Sequence, residues 1–251
     1  AGKPGPRRLF VMCSADDGRT WSEPRPLDLM TQRDDMTMLT GGPCHGIQLT
    51  RPRYKGRLVV PGYCTVDGKR HGCLVYSNDH GQTWKLGGIA AAGTPESTVV
   101  ELVDGAVMLN MRRGPRSVAI SQDGGKTFPT TKRDPALPGP DCQATLCRYS
   151  WPDDAKRGSK SRILFCNPAT QARGENGRRG MTVRLSYDEG KSWSIERMVY
   201  AGYSAYSAMT VLPDGRIAIL YEKDGYRRLS FAAFTLAWLT GGKEPTKETI
   251  K

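Results

Sequence analysis

The sequence predicts an all-β protein of the β-propeller class, and three observations support this prediction. One short turn motif occurs four times along the 251 residues. Each copy follows a short run rich in aliphatic and β-branched residues, which is typical of a strand. The aspartates of successive copies lie 44 to 65 residues apart, and a four-stranded propeller blade needs roughly 40 to 50 residues. The chain is therefore interpreted as a series of repeated blades.

The repeated motif reads Ser-x-Asp-x-Gly-x-Thr/Ser-Trp/Phe. It occupies residues 14–21, 77–84, 121–128 and 186–193. The aspartate can accept hydrogen bonds from backbone N–H groups further along the turn, and the glycine can adopt the positive φ that a tight hairpin needs. The aromatic residue begins the next strand and can pack across the hairpin. Four such copies, each between two strand-like runs, predict four hairpins.

Other turns fit the same architecture. Asp104-Gly105 separates the strand-like runs 98–102 and 106–109, and a second Asp-Gly turn separates 208–212 from 216–220. Long segments with helical periodicity are missing. The polar segment 153–162 and the Gly/Arg-rich segment 167–180 are predicted to be loops between strands. We therefore interpret residues 1–251 as one all-β domain.

Composition narrows the choice of partner. Lys and Arg total 37 against 25 Asp and Glu, a formal net charge of +12, which favours an anionic partner; a merely solvated basic surface is the alternative. The basic residues are scattered, without an aromatic-basic stripe, so nucleic acid is not expected. Seven cysteines without a Cys-x-x-Cys pair and three dispersed histidines predict no metal site. The sequence does not decide whether one or two disulfides form. No apolar run is long enough to predict a membrane span.

The position of the first motif suggests that the ring of blades is incomplete in this chain. Only 13 residues precede Ser14, which is enough for one strand. An open sheet edge is a liability for a folded protein because it invites aggregation. We therefore expect that one or more N-terminal blades lie outside this chain, so that an N-terminal segment or a second chain completes the propeller.

Several segments between the turn motifs resemble one known family. They are Gly93-Thr-Pro-Glu-Ser-Thr-Val-Val-Glu-Leu102, Met108-Leu-Asn-Met-Arg112, Phe165-Cys-Asn-Pro168 followed by Arg178, Gly202-Tyr-Ser-Ala-Tyr-Ser207, Leu220-Tyr-Glu222 and Phe234-Thr-Leu-Ala-Trp-Leu239. With the four turn motifs in register, they resemble the sialidases (exo-α-neuraminidases), whose turns of this kind are called Asp-boxes. The resemblance extends from about Phe10 to Leu239. It implies a six-bladed β-propeller of the sialidase type, with Phe234 to Leu239 in the closing strands.

The resemblance also implies roles for five residues. Tyr206 corresponds to the nucleophile and Glu96 to the base that accepts its proton. Arg112 and Arg178 correspond to the arginines that bind the substrate carboxylate, and Glu222 to a residue that holds an arginine. Each assignment has an alternative in the sequence: Tyr203 for the nucleophile, Glu101 for the base and Arg179 for the second arginine. Each residue can also lack a functional role. The tyrosine would then be an ordinary packed side chain, the glutamates exposed residues and the arginines surface residues.

The chemistry of the implied substrate fits these residue types. A sialic acid glycoside carries a carboxylate on its anomeric carbon, and the planar guanidinium of arginine binds a carboxylate through two parallel hydrogen bonds. A carboxylate nucleophile would be repelled by that group, whereas a neutral phenol would not. Two features of the family have no counterpart in this sequence: an Arg-Ile-Pro segment that supplies the first arginine, and the aspartate that serves as acid/base.

The resemblance thus implies a glycoside hydrolase that releases terminal sialic acid, or a related nonulosonic acid, with retention of configuration. The missing aspartate makes a non-catalytic propeller that binds sialylated or acidic glycans the alternative. A basic propeller that serves as a platform for protein or nucleic acid is a second alternative. Sialoglycans or free sialic acid are the expected ligands, and no metal or organic cofactor is expected. The resemblance implies a secreted or periplasmic protein.

Overall fold

A computed structural model describes residues 9–29, 33–155 and 158–244. These residues form seventeen β-strands, one short α-helix and two 3-10 turns, Pro52–Tyr54 and Glu175–Gly177. The strands are β1 (Leu9–Val11), β2 (Arg25–Leu27), β3 (Met36–Gly41), β4 (Ile47–Gln48), β5 (Leu58–Val66), β6 (Lys69–Ser77), β7 (Lys85–Ala92), β8 (Ser97–Glu101), β9 (Val107–Met111), β10 (Arg116–Ser121), β11 (Thr131–Asp134), β12 (Thr145–Ser150), β13 (Arg162–Pro168), β14 (Arg179–Ser186), β15 (Ile195–Val211), β16 (Ile217–Lys223) and β17 (Arg228–Phe234). The helix is α1 (Leu236–Thr240).

The strands pair as antiparallel meanders, which confirms the all-β prediction. One sheet has the order β3-β5-β6-β7 with β4 also on β5, and the next has the order β8 to β11. Strands β1 and β2 form a separate two-stranded sheet, and β12 to β17 form one six-stranded sheet. The 17-residue strand β15 belongs to two meanders, since its first part pairs with β14 and its second part with β16.

Neighbouring meanders pack face to face, as the blades of a propeller do. One buried cluster joins Val59 and Leu74 of one sheet to Val99 and Leu109 of the next. A second buried cluster lies on the other face of β8, where Val100 packs with residues of β12 and β13. Burying apolar side chains on both faces of a sheet is the main source of stability in such an arrangement.

The four Asp-boxes adopt one hydrogen-bonding pattern. In the second box, Ser77 Oγ donates to Asp79 Oδ1 at 2.7 Å, and the backbone N–H groups of Thr83 and Gly81 donate to Asp79 Oδ1 and Ser77 Oγ at 2.9 and 2.8 Å. Gly81 has a φ of +87°, the conformation for which glycine was expected. The same bonds recur in the other three boxes.

The boxes mark one face of the propeller. Ser77, Ser121 and Ser186 are the last residues of β6, β10 and β14. The opposite face therefore lies where β14 begins and where β9 ends. Ser97 at the start of β8 pairs with Met111 at the end of β9, so the residues just outside this pair also lie on the face opposite the boxes.

Two details of the sequence prediction are corrected. The segment 167–180 is not all loop, because β13 continues to Pro168 and β14 begins at Arg179. The segment from Phe234 to Leu239 does not continue as a strand: helix α1 begins after Thr235, whose side chain accepts a hydrogen bond from the Trp238 N–H at 3.0 Å and so caps the helix.

None of the seven cysteines, all of which lie in the described ranges, forms a disulfide bond. Within the described ranges, no helix is both long and apolar enough to cross a membrane.

Candidate active site

Four of the predicted site residues meet on the face opposite the Asp-boxes. Glu96 immediately precedes β8, Arg112 immediately follows β9 and Arg178 immediately precedes β14. The backbone N–H of Arg112 donates to the Glu96 carbonyl at 2.7 Å, which fixes these two residues side by side. Tyr206 lies in β15 at the register shift where the strand passes from β14 to β16.

Tyr206, Glu96 and Arg112 form one hydrogen-bonded group. The Tyr206 hydroxyl donates to Glu96 Oε1. Arg112 Nη1 donates to the same oxygen at 2.9 Å and to the Tyr206 hydroxyl oxygen at 3.2 Å. The side chains of Glu96 and Arg112 are 13% and 21% exposed, so the group is largely shielded but still reached by solvent. A phenol, a proton acceptor and a cation are thus in direct contact.

The surroundings of Tyr206 keep its phenol protonated. Burial, followed by the hydrogen bond to Glu96 and the charge of that carboxylate, raises the pKa of Tyr206 well above its usual range. For Arg112, burial lowers the pKa of the guanidinium. The charge of Glu96 and the hydrogen bond to it outweigh burial, so the pKa of Arg112 is raised. At neutral pH the site therefore holds a neutral phenol and a guanidinium cation.

Arg178 is the second cation of the site. Its guanidinium carbon lies 5.8 Å from the centre of the Tyr206 ring. Arg178 is buried, whereas its neighbour Arg179 is exposed, so the structure places Arg178 and not Arg179 at the site. Arg178 Nη1 forms an ion pair with Glu175 Oε1 at 2.9 Å and a hydrogen bond to the Tyr226 hydroxyl oxygen.

Three residues around Arg178 were not predicted as a group from the sequence. Tyr203 donates its hydroxyl to Glu175 Oε2 at 2.6 Å, and the Tyr226 hydroxyl donates to both oxygens of Glu175 at 3.1 Å. The Tyr203 hydrogen bond is the main cause that lowers the pKa of Glu175. Tyr203 therefore contacts Glu175 rather than Glu96, which distinguishes it from Tyr206. Glu175 comes from a loop whose sequence carries no signal for this contact.

The two remaining glutamates of the sequence analysis have different surroundings. Glu222 Oε2 accepts a hydrogen bond from the backbone N–H of Tyr206 at 3.0 Å; no ion pair between Glu222 and an arginine is found among the described residues. Its arginine-holding role stays a prediction. Glu101 lies at the other end of β8, where it accepts backbone N–H bonds from Thr50 and Arg51 at 2.7 and 2.9 Å, so it joins two blades.

Asp141 is a further acidic residue at the site that the sequence did not indicate. Its Oδ1 lies 3.8 Å from Arg112 Nε, and its side chain is 53% exposed. Its backbone is left-handed, with a φ of +61°. The adjacent carbonyl of Cys142 accepts a hydrogen bond at 2.6 Å from the fully buried Arg116. Burial lowers the pKa of Arg116 to about 10, and the residue anchors the loop that carries Asp141.

Three buried polar atoms of the site have no hydrogen-bond partner among the described residues: Glu96 Oε2, Arg112 Nε and Arg178 Nε. Unpaired buried polar atoms are rare because each one costs free energy. Two of the three belong to guanidinium groups, which present donors suited to a carboxylate. The arrangement can therefore bind an anion beside a phenol that has a proton acceptor in place. Over the described part of the chain, no group of three or more His, Cys, Asp or Glu side chains could hold a metal ion.

Comparison with known proteins identifies the family. Residues 3–219 match the model of the BNR repeat-like domain. The chain belongs to this family. It is similar to a sialidase of Micromonospora viridifaciens, with 35% identity over 92% of this chain, and to an exo-alpha-sialidase of Aspergillus fumigatus, with 31% identity over 95% of it. The resemblance to sialidases is thereby confirmed.

Solved structures give the same result for the fold. The Hadza microbial sialidase has a TM-score of 0.78 and 31% identity over 92% of this chain and 44% of its own. A leech intramolecular trans-sialidase has a TM-score of 0.79 and 25% identity over 93% of this chain and 37% of its own. The sialidase type of β-propeller is thus confirmed. The chain spans 36% of the length of the Micromonospora relative and 58% of the Aspergillus one.

Proposed function

We propose that this protein acts as a glycoside hydrolase that releases terminal sialic acid, or a related nonulosonic acid, with retention of configuration. One observation supports the proposal above all others: the Tyr206 hydroxyl donates to Glu96 Oε1 while Arg112 donates to both groups. A nucleophile in contact with its base, and a base oriented by a third group, is the arrangement that activates a weak nucleophile.

Arg112 and Arg178 bind the substrate carboxylate in this proposal. Both guanidinium groups lie close to Tyr206, and each has a buried Nε without a hydrogen-bond partner among the described residues. A carboxylate held between them fixes the anomeric carbon, to which it is attached, next to the phenol oxygen. Positioning of this kind contributes to catalysis because the reacting atoms are held at close range before the bond forms.

The first step transfers the sugar to Tyr206. The phenol proton moves to Glu96 Oε1 as the phenol oxygen attacks the anomeric carbon. The bond between that carbon and the aglycone oxygen breaks, and the aglycone leaves with the bonding electron pair. An aryl aglycone leaves as an aryloxide without prior protonation, whereas an alkyl or sugar aglycone needs a proton from an acid, for which the sequence offers no assignment.

The second step returns the enzyme to its starting state. Water attacks the anomeric carbon from the face that the aglycone left, and the bond to the Tyr206 oxygen breaks. The proton on Glu96 returns to the phenolate, and the proton lost by the water passes to solvent. Each displacement inverts the anomeric carbon, so two displacements retain its configuration.

The direct test is hydrolysis of an aryl sialoside by the wild-type chain and by Tyr206→Phe. Tyr206→Phe removes the attacking oxygen, and we expect activity to fall by at least about 100-fold. Tyr203→Phe is the matched control, because Tyr203 contacts Glu175 instead of Glu96, and it should keep most of kcat. NMR of the first-formed product should show the starting anomeric configuration. Binding of sialyllactose without any turnover would instead support a glycan-binding propeller.

Two expectations remain part of the proposal. The first is that an N-terminal segment or a second chain completes the propeller. The second is a secreted or periplasmic location, for which the resemblance to sialidases is the support. Fractionation of the native host with an antibody against this chain tests the location.

A further inference from the structure

A charged cavity lies beside the candidate active site, at the hairpin that joins β16 to β17. The hairpin turn, residues 224–227, follows directly after the end of β16, where Glu222 contacts the Tyr206 backbone. The turn therefore projects from the same face as the active site.

The backbone of this turn has an unusual conformation. Asp224, Gly225 and Tyr226 are all left-handed, with φ values of +54°, +64° and +65°. An aromatic residue rarely adopts this conformation, because its Cβ crowds the backbone. Here it accompanies the contact of the Tyr226 hydroxyl with Arg178 and Glu175. Strained backbone often occurs at functional sites, and in this turn it directs Tyr226 toward the site.

The two residues after Tyr226 line a cavity of about 470 Å³. Its walls are Tyr203, Asp224, Arg227 and Arg228. Tyr203 also donates its hydroxyl to Glu175, the partner of Arg178, so this one side chain contacts both the cavity and the group around Arg178. The rings of Tyr203 and Tyr226 support each other edge to face, with centroids 5.5 Å apart.

The cavity carries an excess of positive charge. Asp224 is its acidic residue, and its carboxylate is already engaged: Oδ1 accepts the Tyr200 hydroxyl at 2.7 Å, and Oδ2 lies 3.6 Å from Arg228 Nη1. Arg227 Nε donates to the Asp224 carbonyl at 3.0 Å, which fixes the base of its guanidinium. The Arg228 side chain is 72% exposed. Asp224 thus holds both arginines, Arg227 through its backbone carbonyl and Arg228 through its carboxylate. Its single negative charge neutralises one of the two, so one positive charge is left over.

We infer that this cavity is a subsite for an anionic group on the aglycone, a carboxylate or a sulfate carried by the part of the substrate beyond the scissile bond. The inference rests on the proposed function. Tyr203 is three residues from Tyr206, and a regular strand rises about 3.3 Å per residue. Because the strand is irregular between Ser204 and Ser207, the subsite begins at most about 10 Å along the chain from the nucleophile. That distance suits a group on the unit next to the released sugar. Arginine suits both carboxylate and sulfate through its planar pair of donors.

The test compares two aryl sialosides that differ only in the aglycone, one with a carboxylate on the aryl ring and one with the neutral carboxamide. Wild-type protein should show a KM about 3- to 10-fold lower for the anionic compound, since two exposed ion pairs contribute modestly. The double variant Arg227→Ala, Arg228→Ala should lose this preference and leave kcat for the neutral compound unchanged. Added salt should reduce the preference.

The control variant Arg19→Ala, Arg216→Ala removes the same charge from exposed positions away from the cavity, in the first Asp-box and beside Asp214. It should keep the preference. Affinities for the thio-linked forms of both compounds, measured by calorimetry, test the subsite independently of turnover. Absence of turnover with both compounds contradicts the proposed function alone. Equal affinity of the wild type for the two thio-linked compounds, or an unchanged preference in the Arg227/Arg228 variant, overturns the subsite.

Competition then identifies the source of the anion. A disialylated oligosaccharide and a sulfated monosialylated oligosaccharide are compared as inhibitors with plain sialyllactose. Tighter inhibition by one of them, lost in the Arg227/Arg228 variant, shows which anionic group the subsite accepts. If neither inhibits more tightly than sialyllactose, the inference is wrong for natural glycans.

Discussion

Replacing Glu96 with glutamine tests the proposed chemistry most sharply. The amide oxygen of glutamine can still accept the hydrogen bonds that Glu96 Oε1 now receives from Tyr206 and Arg112. The side chain keeps its length and shape, but it can no longer take the phenol proton. The substitution therefore separates proton transfer from positioning.

The expected loss follows from these contacts. Removing a general base costs typically a factor of 10² to 10⁴ in rate, which corresponds to about 3 to 5 kcal/mol of transition-state stabilisation. The affinity for substrate should rise although the rate falls. Arg112 loses the anion that now lies 2.9 Å from its Nη1, so it attracts the substrate carboxylate more strongly. Because the pair is partly open to solvent, the gain is screened, and KM should stay equal or fall by up to about tenfold.

The assay is steady-state hydrolysis of an aryl sialoside, with kcat and KM determined separately. Glu101→Gln is the matched control: Glu101 lies on the same strand but bonds the backbone of Thr50 and Arg51, so its loss should lower the midpoint of thermal unfolding and leave kcat unchanged. A Glu96→Gln variant that keeps more than a tenth of wild-type kcat would refute the role of Glu96 as proton acceptor. An equal loss of kcat in both variants would show that the effect is structural.

Three further predictions concern the carboxylate-binding residues and the Asp-boxes. Arg178→Lys should raise KM by about 10-fold or more, because an ammonium cannot form the planar pair of hydrogen bonds; an unchanged KM in steady-state kinetics would contradict that role. Asp141→Asn should lower KM severalfold without changing kcat, since it removes a negative charge 3.8 Å from Arg112 Nε and asparagine tolerates the left-handed backbone; a higher KM would mean that Asp141 binds substrate. Hydrogen bonds from the Thr83 side chain, the Thr83 backbone N–H and the Ser77 side chain together lower the pKa of Asp79 from 3.8 to about 2. The stabilising effect of these bonds is therefore complete above pH 3.8 and lost as the pH falls through about 2. Thr83→Val removes the side-chain bond, which is the largest cause, so this variant should show a smaller loss of stability over this range in urea unfolding.

The parts of the fold that were predictable from sequence are those whose contacts lie within a short segment. An Asp-box contains all of its donors and acceptors in eight residues, so its hydrogen bonds could be inferred from the motif alone. Helix α1 was missed because five residues are too few to show a periodic pattern, although Thr235 and Gly241 carry the cap signals of a short helix.

The candidate site shows the opposite case. Glu96, Arg112, Arg178 and Tyr206 were predicted through the family resemblance, and the structure brings them together; their roles stay predictions until they are tested. Glu175 contacts Arg178 and Asp141 lies close to Arg112. Both residues lie between strands, in segments whose course depends on how several blades pack. Their contacts to Tyr203 and Arg112 span 28 and 29 residues, and no local pattern encodes such a distance.

The passage of β15 from one sheet to the next has a mechanical consequence. Because Tyr206 lies where a single strand is held by β14 on one side and β16 on the other, its position depends on two blades at once. Glu96 and Arg112 belong to a third. Any sliding or tilting among these three blades would change the separation of the phenol from its proton acceptor. Firm packing among these three blades is therefore a condition for the proposed chemistry. A substitution that loosens this packing far from the site should impair catalysis without touching a reacting group.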